Sequence, residues 1–175
     1  MDYVFRLNYQ LPPVVLEIDA LIEQLAEAGC DDALIGSGRE GRLSFEFTRS
    51  AESANDALYS ALSQIHSVIP TAQLIEAKPD YVGLTDIGNI LGMSRQGVRK
   101  LLITHANTFP LPIHEGSIAI WRLAQVLNWF DQRGYAIEAS LKEMSLATLT
   151  VNAARPGVHL HGGVDFKVDS PMAFL

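Results

Sequence analysis

Four side chains with hydrogen-bond donors lie close together in the middle of the chain: Arg95, Gln96, Arg99 and Lys100. Helical spacing brings them to one side of a helix whose other side carries Val98. A guanidinium can bond guanine O6 and N7 together, and a glutamine amide can do the same for adenine. We therefore expect base contacts from the first three residues, and a contact from Lys100 to a DNA phosphate.

The segment LTDIGNILGMSRQGVRKLL, residues 84–102, has the pattern of a helix-turn-helix. Gly88 is small where the second helix must pass the first, and Gly92 tolerates the positive φ of a turn. Thr85 and Ser94 stand where each helix needs an N-cap, and both are candidate contacts to DNA phosphates. Apolar residues at helical spacing predict the packed sides: Ile87, Leu91, Met93, Val98 and Leu101.

The residues that follow predict a short hairpin and a closing helix. LPIHEGSIAIW alternates apolar and polar residues around a Glu-Gly turn, which is typical of a wing. The closing helix has four apolar residues at helical spacing: Leu123, Val126, Leu127 and Phe130.

Residues 82–134 resemble the bacterial winged helix-turn-helix regulators of the excisionase and MerR type. In that family a Phe-Pro-x-Pro segment, a short wing, a Trp at its end and a Trp-bearing helix recur in this order; here they are Phe109, Pro110, Pro112, Trp121 and Trp129. The resemblance implies that the wing contacts phosphates or the minor groove through His114, Ser117 and Arg122. The wing tip departs from the family, since it carries Glu115 and no arginine.

The first eighty residues alternate between the periods of strands and helices. DYVFRLNYQL predicts a strand, Leu16 to Ala28 a helix closed by Gly29, DALIG and RLSFEFTR two strands, SANDALYSALSQIHSVI a helix and AQLIEAK a last strand. This order is that of the ferredoxin-like βαββαβ arrangement, in which both helices cover one face of a four-stranded antiparallel sheet. We expect the open face to bind a partner or a second copy of the chain.

The charge is distributed unevenly. Residues 1–80 carry five Lys/Arg and thirteen Asp/Glu, residues 81–134 carry five and three, and residues 135–175 carry three and four, within a total of −7. DNA would repel the first region and attract the second. KPDYVG interrupts both periodicities where the balance changes, and predicts a boundary between a dimerisation or partner-binding domain (1–80) and a DNA-binding domain (81–134).

Residues 135–175 are interpreted as a C-terminal arm. AIEASLKEMSLATLTV fits a helix, and VHLHGGVDFKV fits a hairpin on a Gly-Gly turn. A lone hairpin is barely stable in water, so we expect the arm to serve oligomerisation or partner binding. A disordered extension is the alternative.

Other patterns that could carry chemistry have simpler interpretations. GSGREG, residues 36–41, matches a dinucleotide fingerprint but lies between two strands, where a hairpin turn is favoured. Asp31 and Asp32 are adjacent and would point apart, and His159 and His161 lack a further metal ligand at a recognisable spacing. Cys30 is the only cysteine, which excludes an intramolecular disulfide. We expect neither an enzyme nor a bound metal or cofactor.

Taken together, the sequence predicts an α+β protein with a ferredoxin-like domain, a winged helix-turn-helix and a C-terminal arm. No apolar run is long enough for a membrane span and no signal peptide is recognisable, so we expect a cytoplasmic protein. The predicted function is sequence-specific binding of double-stranded DNA by a homodimeric transcriptional regulator, a repressor or an antitoxin-like autoregulator with a cognate protein partner. The alternatives are a protein-interaction adaptor, a ligand sensor, or an excisionase-like protein that bends DNA.

Overall fold

The computed structural model describes residues 1–13 and 17–155, and shows a mixed α+β protein. The predicted hairpin over VHLHGGVDFKV, with His159 and His161, lies outside the described residues. The strands are β1 (Asp2–Gln10), β2 (Ala33–Gly36), β3 (Arg42–Ser50), β4 (Gln73–Lys78), β5 (Tyr81–Val82) and β6 (Trp121–Arg122). The helices are α1 (Ile18–Leu25), α2 (Ala54–Val68), α3 (Leu84–Ile90), α4 (Arg95–Thr104), α5 (Leu123–Asp131) and α6 (Ala139–Ala154). A π-helical turn, Ala26–Cys30, follows α1.

The four-stranded sheet is antiparallel, with the order β2-β3-β1-β4. Alternate residues of β1 and β3 point to opposite faces, so each strand places its apolar side chains on one side. The predicted inward residues of both strands are confirmed as buried: Tyr3, Phe5, Leu7, Tyr9, Leu43, Phe45 and Phe47. On the open face, Arg6 forms an ion pair with Glu46, and Ser44 donates to Asn8.

Local signals explain where the flanking helices begin and end. Ser53 Oγ accepts a hydrogen bond from the Asp56 amide at 3.1 Å and caps α2. Gly29 has φ +99°, as predicted for the residue that closes the first helical segment. A side chain at Gly29 would also collide with Gln64, because an added Cβ would lie 2.5 Å from its Nε2 atom.

Arg49 is a buried cation with all its donors satisfied. Its guanidinium bonds both carboxylate oxygens of Asp32, at 2.7 and 2.8 Å, and also bonds Ser60, Gln64 and the Gly29 carbonyl. Asp32 is therefore the counter-ion of a buried arginine. Nearby, burial raises the pKa of the Cys30 thiol, which keeps it protonated and chemically inert.

Helix α6 belongs to the core of the N-terminal sheet, whereas the sequence predicted that residues 135–175 form a separate arm. Met144, Ala147 and Val151 pack in the same buried cluster as β1, β3 and α2. Tyr3 donates a 2.5 Å hydrogen bond to Glu143. Three helices thus cover the apolar face of the sheet, and the third is supplied by a segment that begins about sixty residues after the last strand of that sheet.

The same helix closes the outer edge of β4. Asn152 Oδ1 accepts from the Ala77 amide at 2.9 Å, and Asn152 Nδ2 donates to the Ala77 carbonyl at 2.7 Å. The side-chain amide thereby takes the place of a neighbouring strand. Asn152 Nδ2 also donates to Asp80, which is fully buried just beyond β4.

Candidate nucleic-acid interface

Helix α3 begins at Leu84 with Gly83 as its N-cap, and the sequence prediction that Thr85 caps it is wrong. The Gly83 amide donates to the Asp86 carboxylate at 2.8 Å, and no side chain among the described residues caps the first-turn amides. Thr85 lies exposed in the first turn. There its hydroxyl accepts a 3.3 Å hydrogen bond from Arg95.

The turn between α3 and α4 depends on two glycines, as predicted. The Gly88 carbonyl accepts from the Met93 amide at 2.7 Å, which brings the start of α4 against α3. An added Cβ at Gly88 would lie 2.6 Å from the Met93 carbonyl oxygen, a distance that real Cβ atoms do not show. Gly92 has φ +64°, the conformation that favours glycine.

Gly88→Ala is expected to lower the free energy of unfolding by about 1–3 kcal/mol, because the methyl group must push against backbone. The matched control is Gly97→Ala on α4, where an added Cβ would meet only side-chain atoms, the nearest being Ser94 Oγ at 3.3 Å. That change should be neutral or stabilising, since alanine favours helices. Urea unfolding followed by tryptophan fluorescence measures both. Equal effects at the two glycines would contradict the close approach.

Helix α4 presents its polar side to solvent. Ser94 caps it as predicted, accepting from the Gly97 amide at 3.0 Å. Val98 is fully buried and fixes which side faces inward. The four donor residues are all exposed: Arg95, Gln96, Arg99 and Lys100. The structure therefore brings together the predicted base-contacting and phosphate-contacting residues of this helix, with Ser94 at its start.

The cations of α4 differ from the other cations of residues 81–134. Arg122 forms an ion pair with Asp80 and lies over the Tyr81 ring. Arg133 lies 3.7 Å from the Trp129 ring centroid and donates to Thr108. In contrast, none of the three cations of α4 forms an ion pair with any residue that the structure describes. Three uncompensated positive charges on one exposed helix side make a local anion-binding surface.

An aromatic cluster packs on the buried side of α4. Phe109 contacts the rings of Trp121, Trp129 and Phe130, with centroids 6.2, 4.9 and 6.4 Å away. All four rings are buried, and Trp121 Nε1 donates to the Pro110 carbonyl at 3.0 Å. Phe109, Trp121 and Trp129 thus belong to the same buried cluster as Ile87 of α3 and Val98 of α4.

The predicted wing is shorter and more open than a tight hairpin. His114 and Ile120 form one antiparallel bridge, so residues 115–119 make a five-residue loop, and the predicted two-residue Glu-Gly turn is wrong. His114 and Ser117 are exposed on this hairpin. Arg122 pairs with the buried Asp80, so its guanidinium, unlike the side chains of the other predicted contacts, is held by a carboxylate.

Sequence reasoning missed two features of this region. Asp80 is completely buried, but an acid in a predicted linker gives no signal of its pairing with Arg122, which depends on β5 meeting β6. Large aliphatic side chains are also exposed on α4 and on the segment that follows it: Ile103, Leu111 and Ile118 are 63, 81 and 67% exposed. In the described ranges, no three His, Cys, Asp or Glu residues come together in a way that could hold a metal ion.

Two further observations bear on what the chain could be. Within residues 1–13 and 17–155, every helix is too short or too polar to cross a membrane. Comparison of the chain with protein-family models, with curated proteins and with solved structures finds no match.

Proposed function

We propose that this chain is a sequence-specific DNA-binding regulator that represses transcription as a dimer. The observation that carries the proposal is the exposed side of α4, where Arg95, Arg99 and Lys100 have no carboxylate partner among the described residues. The neighbouring cations Arg122 and Arg133 are both engaged. A cationic helix that follows a tight turn matches the way a recognition helix enters the major groove.

The architecture supports the same proposal. The strand order β2-β3-β1-β4, with α1 and α2 between the strands, favours a ferredoxin-like N-terminal domain. The order α3, turn, α4, short hairpin and α5, with β5 paired to β6, favours a winged helix-turn-helix. The chain would then join an acidic domain to a DNA-binding domain.

In this proposal each exposed residue has a distinct role. Arg95, Gln96 and Arg99 bond base edges in the major groove, each for about 1–3 kcal/mol of discrimination. Ser94 and Lys100 bond phosphates. Thr85, through its hydrogen bond to Arg95, joins this set at the edge of the groove. His114 and Ser117 extend it to the wing. Arg122 is not included, since Asp80 holds it.

A dimer follows from the size of this surface. One helix-turn-helix makes too few contacts for specific binding at physiological salt, whereas a dimer reads two half-sites about one helical turn apart. The open face of the sheet is the surface we assign to self-association, because it exposes Val4 and Leu34, at 60 and 75%.

The test is fluorescence anisotropy on a duplex enriched from a random pool, compared with a scrambled duplex. Arg95→Ala/Arg99→Ala should lose the preference for the enriched duplex. Lys100→Ala should weaken binding to both duplexes. It should also make the slope of log affinity against log salt shallower by roughly 0.9, the contribution of one phosphate contact. Arg133→Ala is the control: it removes one positive charge, as Lys100→Ala does, but on a side chain engaged with Trp129, and it should keep the preference. If no duplex is enriched, or if the double variant binds like the natural sequence, the proposal fails.

A protein-interaction adaptor is the second candidate, favoured by the exposed Ile103, Leu111 and Ile118 on α4 and on the segment that follows it. An antitoxin-like regulator would combine both functions. Ile118→Ser/Leu111→Ser tests whether this apolar surface binds a protein. If it does, the variant should lose its protein partner with no change in duplex binding.

A further inference from the structure

The GSGREG loop between β2 and β3 borders a cavity of about 450 Å³. Arg39 and Arg42 line it, together with Gly36 and Gly38 of the loop and the polar pair Asn8 and Ser44 of the sheet. This volume is within the range of small-molecule sites, which is roughly 300–1,000 Å³. None of the proposed DNA contacts borders it.

The unpaired positive charges of the N-terminal domain lie at this cavity. Residues 1–80 carry five Lys/Arg, and three of them are ion-paired: Arg6 with Glu46, Arg49 with Asp32, and Lys78 with Glu76. The remaining two, Arg39 and Arg42, have no carboxylate partner among the described residues. In a region with thirteen acidic residues, both unpaired guanidiniums line the same cavity.

Gly41 has a positive φ of +71°, but the other two loop glycines, Gly36 and Gly38, are not explained by packing or by backbone conformation. An added Cβ at Gly36 or at Gly38 would meet nothing within 4 Å. Neither residue has a positive φ. Because Gly36 and Gly38 have no side chains, the loop backbone is open to a ligand, as in loops that bind anions.

This cavity borders the first half of β4, whereas β5 and α3 follow the other end of that strand. The Gly41 carbonyl accepts from the Leu11 amide, and Gln10 is opposite both Arg42 and Gln73, so the loop sits where β4 begins. The cavity reaches Ile75, and β4 continues for three more residue steps, about 10 Å at the usual strand rise, before the chain enters β5. The residues that line the cavity and the exposed donors of α4 are therefore different sets.

We propose that the GSGREG cavity binds a small organic anion through a phosphate or carboxylate group. The guanidiniums of Arg39 and Arg42 donate charge-assisted hydrogen bonds to the anionic group, and the open loop backbone lies against it. Asn8 and Ser44 form hydrogen bonds with neutral polar atoms of the same ligand. The N-terminal domain is then a ligand-binding domain. This inference does not depend on the proposed function, since it uses none of the residues on α4.

Amide chemical shifts of the ¹⁵N-labelled full chain test the proposal. The probes are inorganic phosphate and succinate, each titrated at an ionic strength held constant with sodium chloride. For at least one of them, the amides of Gly36, Gly38 and Ser44 should shift and saturate. Arg39→Gln/Arg42→Gln should weaken this binding by about ten-fold or more, since two charge-assisted contacts are lost. The phosphate and succinate arms show which anionic group is preferred.

The matched control removes two arginines from the other surface. Arg95→Gln/Arg99→Gln should leave saturation at the loop amides unchanged. Shifts that are confined to α4, that never saturate, or that persist in Arg39→Gln/Arg42→Gln would overturn the proposal. It would also be overturned if Arg39→Gln/Arg42→Gln weakened duplex binding while neither probe saturated the loop, because the two arginines would then belong to the DNA surface.

Discussion

Arg122→Ala should lower the free energy of unfolding by about 3–5 kcal/mol, because it leaves a buried carboxylate without its counter-ion. Asp80 is fully buried, and its Oδ2 atom is bonded by both Arg122 and Asn152. Its Oδ1 atom has no partner among the described residues, so the site has no spare donor to replace the guanidinium. The loss is measured by urea unfolding, followed by the fluorescence of Trp121 and Trp129.

Two comparisons identify the cause of that loss. Arg133→Ala removes an arginine from the same region but leaves no charge buried, so its cost should be about 0.5–1 kcal/mol, the range of an exposed cation–π contact. Asp80→Asn should cost less than Arg122→Ala, because the side chain of Arg122 is 18% exposed and can reach water whereas Asp80 cannot. If Arg122→Ala costs no more than Arg133→Ala, the buried pair does not hold β5 and β6 to α6.

The regular parts of this fold are readable from the sequence because their signals are local. Period-two burial in β1 and β3 identifies Phe5 and Phe45 as core residues. The turn between α3 and α4 is equally local, since Gly88, Gly92 and Ser94 each meet a steric or hydrogen-bonding requirement of that turn. For the candidate site, the sequence identifies the four donors on α4 for the same reason, because Val98 and Leu101 on the same helix predict which side faces inward.

The features that sequence reasoning missed depend on contacts between distant segments. Helix α6 has apolar residues that would fit many surfaces, and nothing in its pattern says that Met144 joins the N-terminal core. Thr85 and Asp86 are both able to stabilise a helix start, and the choice between them depends on which residue becomes the N-cap. Nothing in the sequence indicates that Asp80 and Arg122 form an ion pair, because the pairing of β5 with β6 brings them together.

Asn152→Leu should lower the free energy of unfolding by about 2–4 kcal/mol, because it leaves both backbone groups of Ala77 buried and unpaired. The leucine is similar in size, so the loss reports hydrogen bonding rather than a cavity. Hydrogen exchange gives the specific readout: the Ala77 amide, now bonded to Asn152 Oδ1 at 2.9 Å, should exchange faster, even relative to its neighbours in β4.

Thr150→Val is the control for that change, since Thr150 is exposed on α6 and, among the described residues, its hydroxyl bonds only the Leu146 carbonyl of the same helix. It should leave both the stability and the Ala77 exchange rate close to their original values. Uniformly faster exchange across β4 in Asn152→Leu would mean that the side chain supports the helix generally. Exchange confined to Ala77 would show that one amide on α6 closes the sheet edge nearest to the helix-turn-helix. In that case α6 completes the N-terminal core. Through the hydrogen bond from Asn152 to Asp80, it also holds the start of the DNA-binding region that we propose.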